Sequence, residues 1–228
     1  MITENLTRIR GRIEEAALRA GRKPQDVTLV CVTKTATAEK IREVVASGIA
    51  DIGENRVQDA LSKYNKLGDL AKSVRWHMVG HLQTNKVKAA LEIFDVIHSL
   101  DSMKLAEEID RRAEPLDRRI DCFIEVNTSG EDSKYGIRPE DAQSFLREAA
   151  AFPNIHIIGL MTIAPFLEDA QLCRAYFVKL RRLKEELNGL NMPDTGIKEL
   201  SMGMSQDFEV ATEEGATFLR VGTAIFGV

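Results

Sequence analysis

The chain has 228 residues, of which 44% are hydrophobic and 29% are charged, a composition that fits one soluble globular domain with a substantial core. The formal net charge is −4 without a long run of one sign, which argues against a surface for nucleic acid or for an anionic membrane. The sequence shows no apolar membrane span, no secretory signal core and no C-x-x-C spacing among its three cysteines, so we expect a cytoplasmic protein without a disulfide framework or zinc site.

The chain opens with a helical pattern and then alternates short apolar runs with amphipathic stretches. Apolar residues at helical spacing in the first twenty positions predict an N-terminal helix, within residues 1–25, that packs on the remainder. Strands are predicted at 27–33, 50–53, 75–80, 94–100, 120–127, 155–161, 198–202 and 217–222. Helices are predicted at 38–47, 55–66, 84–91, 102–113, 139–151, 168–188 and 206–214, with Asn55 and Asp101 as candidate start residues for two of them.

This alternation predicts an α/β fold with a parallel sheet and right-handed crossovers. Eight strand–helix units in 228 residues indicate a (β/α)₈ TIM barrel, as a single domain spanning 1–228 with an extra N-terminal helix. An open doubly wound sheet is the alternative, but it normally has fewer strands and a glycine-rich first turn, which "TKTATAEK" lacks. In a barrel, the active residues collect at the carboxyl-terminal ends of the strands.

Lys34 lies at such an end, directly after the first predicted strand. Period-2 alternation places Val30, Val32 and Lys34 on one face, and an amine that points into the barrel mouth is partly desolvated, which lowers its pKa. A neutral amine is the nucleophile that forms a Schiff base with a carbonyl compound. The alternative is an ordinary lysine that ends a strand and extends into solvent, and this stretch alone favours that alternative.

The last two predicted strands end in stretches that suit a phosphate group. Ser201, Gly203 and Ser205 lie in "ELSMGMSQDFEVA", and Gly222 and Thr223 lie in "FLRVGTAIFGV". Small residues allow backbone N–H groups to approach a phosphate, and hydroxyl groups add donors, although tight turns with hydroxyl caps use the same residues. Opposite a strand-end lysine, these stretches predict a phosphorylated carbonyl ligand, and pyridoxal 5′-phosphate (PLP) combines both requirements.

Arg220 shares a strand face with Gly222. In a PLP site its guanidinium would face the pyridine nitrogen, and because arginine can only donate a hydrogen bond, that nitrogen would remain unprotonated. The ring would then be a weaker electron sink than one paired with an aspartate. The alternatives for Arg220 are a phosphate contact or an internal ion pair, for example with Glu125.

Seven stretches spread over residues 26–227 carry a resemblance to a known family. They are "VCVTKT", "DIGENRVQDA", "WHMVGHLQTNK", "NTSGEDSKYGI", "GLMTIAP", "LSMGMSQDFEVA" and "RVGTAIFG". In these motifs the sequence closely resembles the pyridoxal phosphate homeostasis proteins, which are similar to the barrel domain of bacterial alanine racemase standing alone.

The resemblance implies that Lys34 holds PLP as a Schiff base and that Arg220 faces the pyridine nitrogen. It implies that Ser201 bonds the phosphate together with the backbone of Gly222 and Thr223, with Ser205 as a second contact. The surroundings of the ring would be formed by Asn55, His77, Met161 and Thr162, with Lys134 at the pocket rim. For His77 the alternative is a core histidine that has its hydrogen bonds satisfied.

The resemblance also implies a carrier or buffer that maintains intracellular vitamin B6 and amino-acid balance without efficient catalysis. The expected partners are PLP and PLP-dependent apo-enzymes, with no nucleic acid or membrane, and we expect a monomer. The alternative is an amino-acid racemase of low activity, but the racemase's second base is a tyrosine from a second domain, which we expect to be absent here. None of Tyr64, Tyr135 and Tyr176 matches that tyrosine. A scaffold without any cofactor is a third alternative.

Overall fold

The computed structural model describes residues 1–190 and 196–227. Its strands form a closed parallel barrel in chain order, in which the last strand pairs with the first. The barrel predicted from the sequence is therefore confirmed, and the open doubly wound sheet is excluded. The strands are β1 (Thr28–Val32), β2 (Asp51–Glu54), β3 (Arg75–Met78), β4 (Val96–Leu100), β5 (Ile120–Glu125), β6 (Ile155–Met161), β7 (Glu199–Ser201) and β8 (Phe218–Val221).

Helices follow the strands around the outside of the barrel. They are α1 (Ile2–Arg19), α2 (Ala38–Ala46), α3 (Val57–Leu67), α4 (Val87–Ala90), α5 (Met103–Ala113), α6 (Ala142–Ala149), α7 (Arg174–Gly189), α8 (Phe208–Glu213) and α9 (Thr223–Phe226). Short 3₁₀ turns precede α4, α6 and α7, so these helices begin later than the sequence predicts, and α9 was not predicted. Among the described residues, no helix combines the length and the apolar character needed to cross a membrane.

The start residues predicted for two helices are wrong. Helix α5 is capped by Ser102, whose hydroxyl accepts a hydrogen bond from the backbone N–H of Leu105. The preceding Asp101 instead contacts Nδ1 of His81 at 3.2 Å. Asn55 does not cap α3, because the cap position belongs to Arg56, which makes no side-chain cap bond. Neither Asn55 nor Asp101 caps a helix, and both lie at the carboxyl-terminal end of the barrel strands.

Helix α1 packs against α2, α8 and α9. Its buried face repeats at the helical period, with Leu6, Ile9 and Ile13 nearly inaccessible to solvent. Polar contacts add to this packing, since the side chain of Asn5 donates to the carbonyl of Ile225 at 3.0 Å. Helix α1 therefore covers the closure of the barrel between its first and last units.

The molecule has one apolar core outside the barrel wall and a smaller one inside it. The outer core lies between strands and helices and includes Trp76 and Phe177. The inner core includes Val30, Phe123 and Phe218, and the rings of Phe123 and Phe218 meet edge to face at 5.3 Å. Side chains alternate between these two cores along each strand. The inward-facing positions therefore share the barrel interior between the inner apolar core and buried polar groups such as His77 and His98.

A close approach of β6 to β7 generates a stability prediction. A Cβ atom at Gly159 would lie 2.7 Å from the carbonyl carbon of Glu199 and closer still to its oxygen. Gly159→Ala should therefore lower the free energy of unfolding by about 2–3 kcal/mol, because backbone must shift to relieve the overlap. Gly11→Ala is the matched control, since no atom lies within 4 Å of its added Cβ inside α1 and a gain of up to ~1 kcal/mol is expected. Urea unfolding of both variants measures this, and equal stability of the two would contradict it.

Candidate functional site

A cavity of about 510 Å³ opens at the carboxyl-terminal end of the strands, a volume typical of small-molecule sites. Its wall comes from the segments that follow β1, β2, β3, β6, β7 and β8. Of the residues that the sequence singled out, the cavity is lined by Lys34, Asn55, Ser205, Arg220, Gly222 and Thr223. The barrel therefore brings the lysine and both small-residue stretches to one site.

Lys34 lines the cavity, but it is exposed, so the partial desolvation expected from the sequence is wrong for this structure. The reason is the length of β1. The strand ends at Val32, and Lys34 lies two residues beyond it, in a turn in which Ala36 N–H donates to the carbonyl of Thr33 at 2.9 Å. The amine extends from the rim of the barrel instead of from its wall.

An ion pair between a half-buried lysine and a buried glutamate fixes the backbone that carries Lys34. Lys63 of α3 donates to the carbonyl of Thr33 and to Oε1 of Glu54, each at 2.6 Å, and the Thr33 hydroxyl donates to the same carboxylate oxygen. Burial raises the pKa of Glu54, and the hydrogen bonds from Lys63 and Thr33 oppose that shift. Because Thr33 precedes Lys34, this cluster sets the position from which the lysine side chain leaves the barrel.

Across the cavity, a hydroxyl and backbone N–H groups converge. The Ser205 hydroxyl accepts hydrogen bonds from the N–H of Gly222 at 3.3 Å and from the N–H of Ala224 at 3.2 Å. A Cβ atom at Gly222 would lie 2.9 Å from the carbonyl oxygen of Val32, so the absence of a side chain allows the end of β8 to approach β1 this closely. Because the Ser205 oxygen accepts both bonds, its own proton is left to donate to a ligand in the cavity, such as a phosphate group.

Arg220 forms the floor of the cavity and is buried. Its guanidinium donates to the Ser201 hydroxyl at 2.5 Å and to the carbonyl of Thr162 at 2.8 Å. Burial lowers the pKa of Arg220 to about 10, with Asp207 and Glu125 opposing the shift, so the group stays charged at neutral pH. The ion pair with Glu125 considered from the sequence is replaced by these two uncharged acceptors.

Glu125 is a second buried ionisable group near the floor. Burial raises the pKa of its carboxyl to about 7; Asp101 adds to the shift and Arg220 opposes it. Its Oε2 atom has no hydrogen-bond partner among the described residues.

The remaining predicted residues lie beneath the cavity and do not line it, contrary to expectation. They are His77, Met161, Thr162 and Ser201, and each is fully enclosed. Met161 belongs to the inner core, and the Thr162 hydroxyl donates to the carbonyl of Val126 at 2.8 Å. The Ser201 hydroxyl contacts both Arg220 and His98, so it lies deeper in the barrel than Ser205, Gly222 and Thr223, which line the cavity.

His77 has the role of a core histidine with satisfied hydrogen bonds. Its Nε2 lies 2.8 Å from Oδ1 of Asp51, and its Nδ1 lies 3.0 Å from Nε2 of His98. Nδ1 of His98 then lies 2.8 Å from the Ser201 hydroxyl. His98 was missed from the sequence, although its alternation with Val96 in "FDVIHSL" places both residues on one strand face.

Lys134 lies in the loop after β5, where its ammonium is 2.8 Å from Oε1 of Glu131, and it does not line the cavity. Asp207, which sequence reasoning also missed, does line it and accepts a hydrogen bond from the backbone of Met204. Among the described residues, no group of three or more His, Cys, Asp or Glu is placed to hold a metal ion. The donors present thus suit a phosphorylated organic ligand with a carbonyl group and an aromatic acceptor.

Comparisons with known proteins show the family to which the chain belongs. Residues 4–228 match the family model described as alanine racemase, N-terminal domain. A relative from Aquifex aeolicus, named pyridoxal phosphate homeostasis protein, is 46% identical over 224 residues, covering 98% of this chain and 96% of the relative. A relative with the same name from Escherichia coli strain K12 is 36% identical over 229 residues, covering 99% and 96%.

Solved structures extend the comparison. PipY of Synechococcus elongatus, in a structure with PLP bound, has a TM-score of 0.87 and 38% identity, with 100% of both chains covered. An alanine racemase from Clostridium difficile has a TM-score of 0.73 but only 13% identity, covering 99% of this chain and 56% of the racemase. The likeness to the racemase therefore shows the fold alone.

The buried histidines generate a prediction for the pH dependence of stability. Burial lowers the pKa of His77 and of His98, so below pH 6.5 the unfolded chain binds protons that the folded chain does not bind. The histidine contribution to the free energy of unfolding is therefore complete above pH 6.5 and is lost as the pH falls. Glu125, with its raised pKa, acts in the opposite direction over this range, so a difference measurement is required.

We expect the stability advantage of the wild-type protein over His98→Leu to shrink as the pH falls from 7 to 5. A pH of 5 lies about 1.5 units below the unfolded pKa, so His98 contributes at most about 2 kcal/mol to this change. Urea unfolding of both proteins across this range measures it. A difference that stays constant with pH would contradict the prediction.

Proposed function

The chain belongs to the pyridoxal phosphate homeostasis proteins of the alanine racemase N-terminal domain family, and from that premise we propose that it binds PLP and carries or buffers it without efficient catalysis. In this proposal, residues 1–228 act as one PLP-binding unit that helps to maintain vitamin B6 and amino-acid balance. The observation that carries the proposal is the shared cavity. Lys34, the Ser205–Gly222 cluster and Arg220 all line it.

Lys34 is the proposed attachment point. Its amine adds to the aldehyde of PLP, and loss of one water forms the Schiff base, so no oxidant or other reactant is required. The hydrogen bonds of Lys63 to Thr33 and Glu54 support this role, since they fix the backbone directly before Lys34. Exposure of the amine suits a ligand that enters from solvent and leaves again.

The phosphate is proposed to bind Ser205 together with the backbone N–H groups of Gly222 and Thr223. Ser205 replaces Ser201 as the principal hydroxyl, because Ser205 lines the cavity and Ser201 is engaged beneath it. Asn55, on the wall after β2, is proposed to contact the ring. His77, Met161 and Thr162 support the floor from below.

Arg220 is proposed to donate to the pyridine nitrogen. It is charged at neutral pH and lines the cavity, and an arginine there leaves the nitrogen unprotonated. An unprotonated ring withdraws electrons weakly, which favours holding the cofactor over stabilising a carbanion on a bound amino acid.

The racemase alternative requires a second base, and the tyrosines of this chain do not line the cavity. Tyr64 packs against Trp76 outside the barrel, and Tyr176 packs against the outer core. Tyr135 is 58% exposed and stacks on His81, beside a neighbouring cavity. These placements support a carrier over a racemase.

We further propose that the protein acts as a monomer in the cytoplasm and exchanges PLP with PLP-dependent apo-enzymes. Its three cysteines are free and buried, which suits a reducing compartment. Mixing the PLP-loaded protein with an apo-enzyme tests the exchange: recovery of enzyme activity faster than with an equal concentration of free PLP would support direct delivery. Racemisation of alanine at enzyme-like rates by the loaded protein would instead support the racemase.

Borohydride reduction tests the attachment point. Reduction of the PLP-loaded protein should fix a pyridoxyl group on Lys34, and Lys34→Ala should abolish that label because no other cavity lysine is present among the described residues. Lys40→Ala is the matched control, since Lys40 lies on α2 outside the cavity and its loss should leave labelling intact. Mass spectrometry of the digested protein locates the label. A wild-type protein that takes up no PLP would contradict the proposal.

Ser205→Ala tests the phosphate contact. It should raise the dissociation constant for PLP about ten- to a hundredfold, the effect of losing one charge-assisted hydrogen bond. Binding of pyridoxal, which lacks the phosphate, should stay unchanged. Titration followed by absorbance measures both affinities, and an equal loss for the two compounds would contradict a phosphate role for Ser205.

A further inference from the structure

A chain of hydrogen bonds crosses the interior of the barrel and joins two separate cavities. It starts at Arg220, on the floor of the mouth cavity, and continues through Ser201, His98 and His77. It ends at Asp51, which lines a second cavity of about 430 Å³ at the amino-terminal end of the strands. Arg220, Ser201, His98 and His77 are buried, so water does not compete for these bonds.

The Asp51 carboxylate at one end and the Arg220 guanidinium at the other order the hydrogen bonds of this chain when both imidazoles are neutral. A guanidinium only donates, so the Ser201 oxygen accepts from Arg220, and Nδ1 of His98 is the acceptor that the described residues offer to the Ser201 proton. His98 then carries its proton on Nε2 and donates to Nδ1 of His77. His77 in turn donates from Nε2 to the carboxylate of Asp51. A cation at one end and an anion at the other thus select one tautomer for both imidazoles.

An additional proton on either imidazole would leave a hydrogen-bond donor of this chain without an acceptor. On Nδ1 of His98 it would face the Ser201 hydroxyl, whose oxygen already accepts from Arg220 and whose proton would then have no acceptor. On Nδ1 of His77 it would face the N–H of His98. The charged groups near His77 are Arg75 and Asp95, and those near His98 are Arg75 and Arg220; they do not alter this order. Burial keeps the pKa of both imidazoles below the ordinary value.

Two nearby carboxyl groups, those of Glu125 and Asp207, compete with Ser201 and Thr162 for the Arg220 guanidinium. The carboxyl of Glu125 attracts the guanidinium, and its Oε2 atom has no partner among the described residues. Asp207 attracts it as well. The guanidinium nevertheless donates to uncharged oxygens of Ser201 and Thr162.

We infer that His98 and His77, anchored on Asp51, are positioning residues: they fix Ser201 as an acceptor and so hold the Arg220 guanidinium in one orientation toward the barrel mouth. The consequence for ligand binding rests on the proposed PLP function, because the group that Arg220 faces there is the pyridine nitrogen. The hydrogen-bond chain itself is a property of the ligand-free protein.

The first test uses the ligand-free wild-type protein. ¹⁵N-labelled histidine and NMR report the protonation of each ring nitrogen, and the chain contains four histidines, with exposed His81 and His156 as internal references. We expect His77 and His98 to be neutral at pH 7 with the proton on Nε2. A proton on Nδ1 of either ring, or a cationic ring at pH 7, would overturn the inference.

The second test compares binding of PLP with binding of pyridoxal. Ser201→Ala and His98→Leu should each raise both dissociation constants by the same factor, about five- to tenfold, because both compounds contain the pyridine nitrogen. His98→Asn, whose amide oxygen retains an acceptor for Ser201, should restore binding to within about twofold of wild type. Loss of PLP affinity with pyridoxal unaffected would place Ser201 at the phosphate and overturn the inference.

Two controls separate positioning from general damage to the fold. Asp110→Ala removes the acceptor of a 2.9 Å hydrogen bond from the Asn154 N–H, just before β6 at the amino-terminal end of the barrel and off the chain, and should leave both affinities at wild-type values. In an Arg220→Gln background, Ser201→Ala should cause no further loss, whereas additive losses would contradict action through Arg220. If the wild-type protein bound neither compound, the proposed function would fail, and the NMR result would still decide the inference.

Discussion

A guanidinium enclosed in a barrel can only donate hydrogen bonds, and it needs acceptors that stay in place because water does not reach it. Thr162 supplies a backbone carbonyl for Arg220, and Ser201 supplies a hydroxyl oxygen whose own proton then needs an acceptor. Two imidazoles and Asp51 meet that need in series. One buried cation is therefore linked in series to polar residues of β7, β4, β3 and β2.

The same requirement divides the site into a rigid floor and an open rim. The floor is held by buried bonds and by the aromatic inner core, where the His98 ring stacks on Phe123 at 4.4 Å. The rim contains Lys34, which is exposed, and Phe166, which is 80% exposed. A fixed floor beneath an open rim suits a ligand that is recognised and then released, whereas a reaction that develops charge benefits from exclusion of water.

The sequence predicts the eight strands and the place of Lys34 because period-2 alternation and strand–helix order are local patterns. It does not predict depth within the barrel. Ser201 and Ser205 belong to one motif, yet β7 ends at Ser201, so that its hydroxyl meets Arg220 while Ser205 reaches the cavity. Depth depends on strand tilt and stagger around the closed barrel, which no single segment encodes. The contacts of His98 with His77 and Ser201 arise only on closure, for the same reason.

The balance of charge on the floor favours holding a ligand over transforming it. With its pKa near 7, the carboxyl of Glu125 is only partly ionised at neutral pH, so it offsets the charge of Arg220 incompletely. Arg220 keeps a positive charge at the floor of the cavity, where an uncharged acceptor nitrogen is stabilised and a protonated one is repelled. For the proposed cofactor this means a ring that withdraws electrons weakly. Under the proposed function, the buried arginine that organises the barrel interior would therefore also disfavour carbanion chemistry at the barrel mouth.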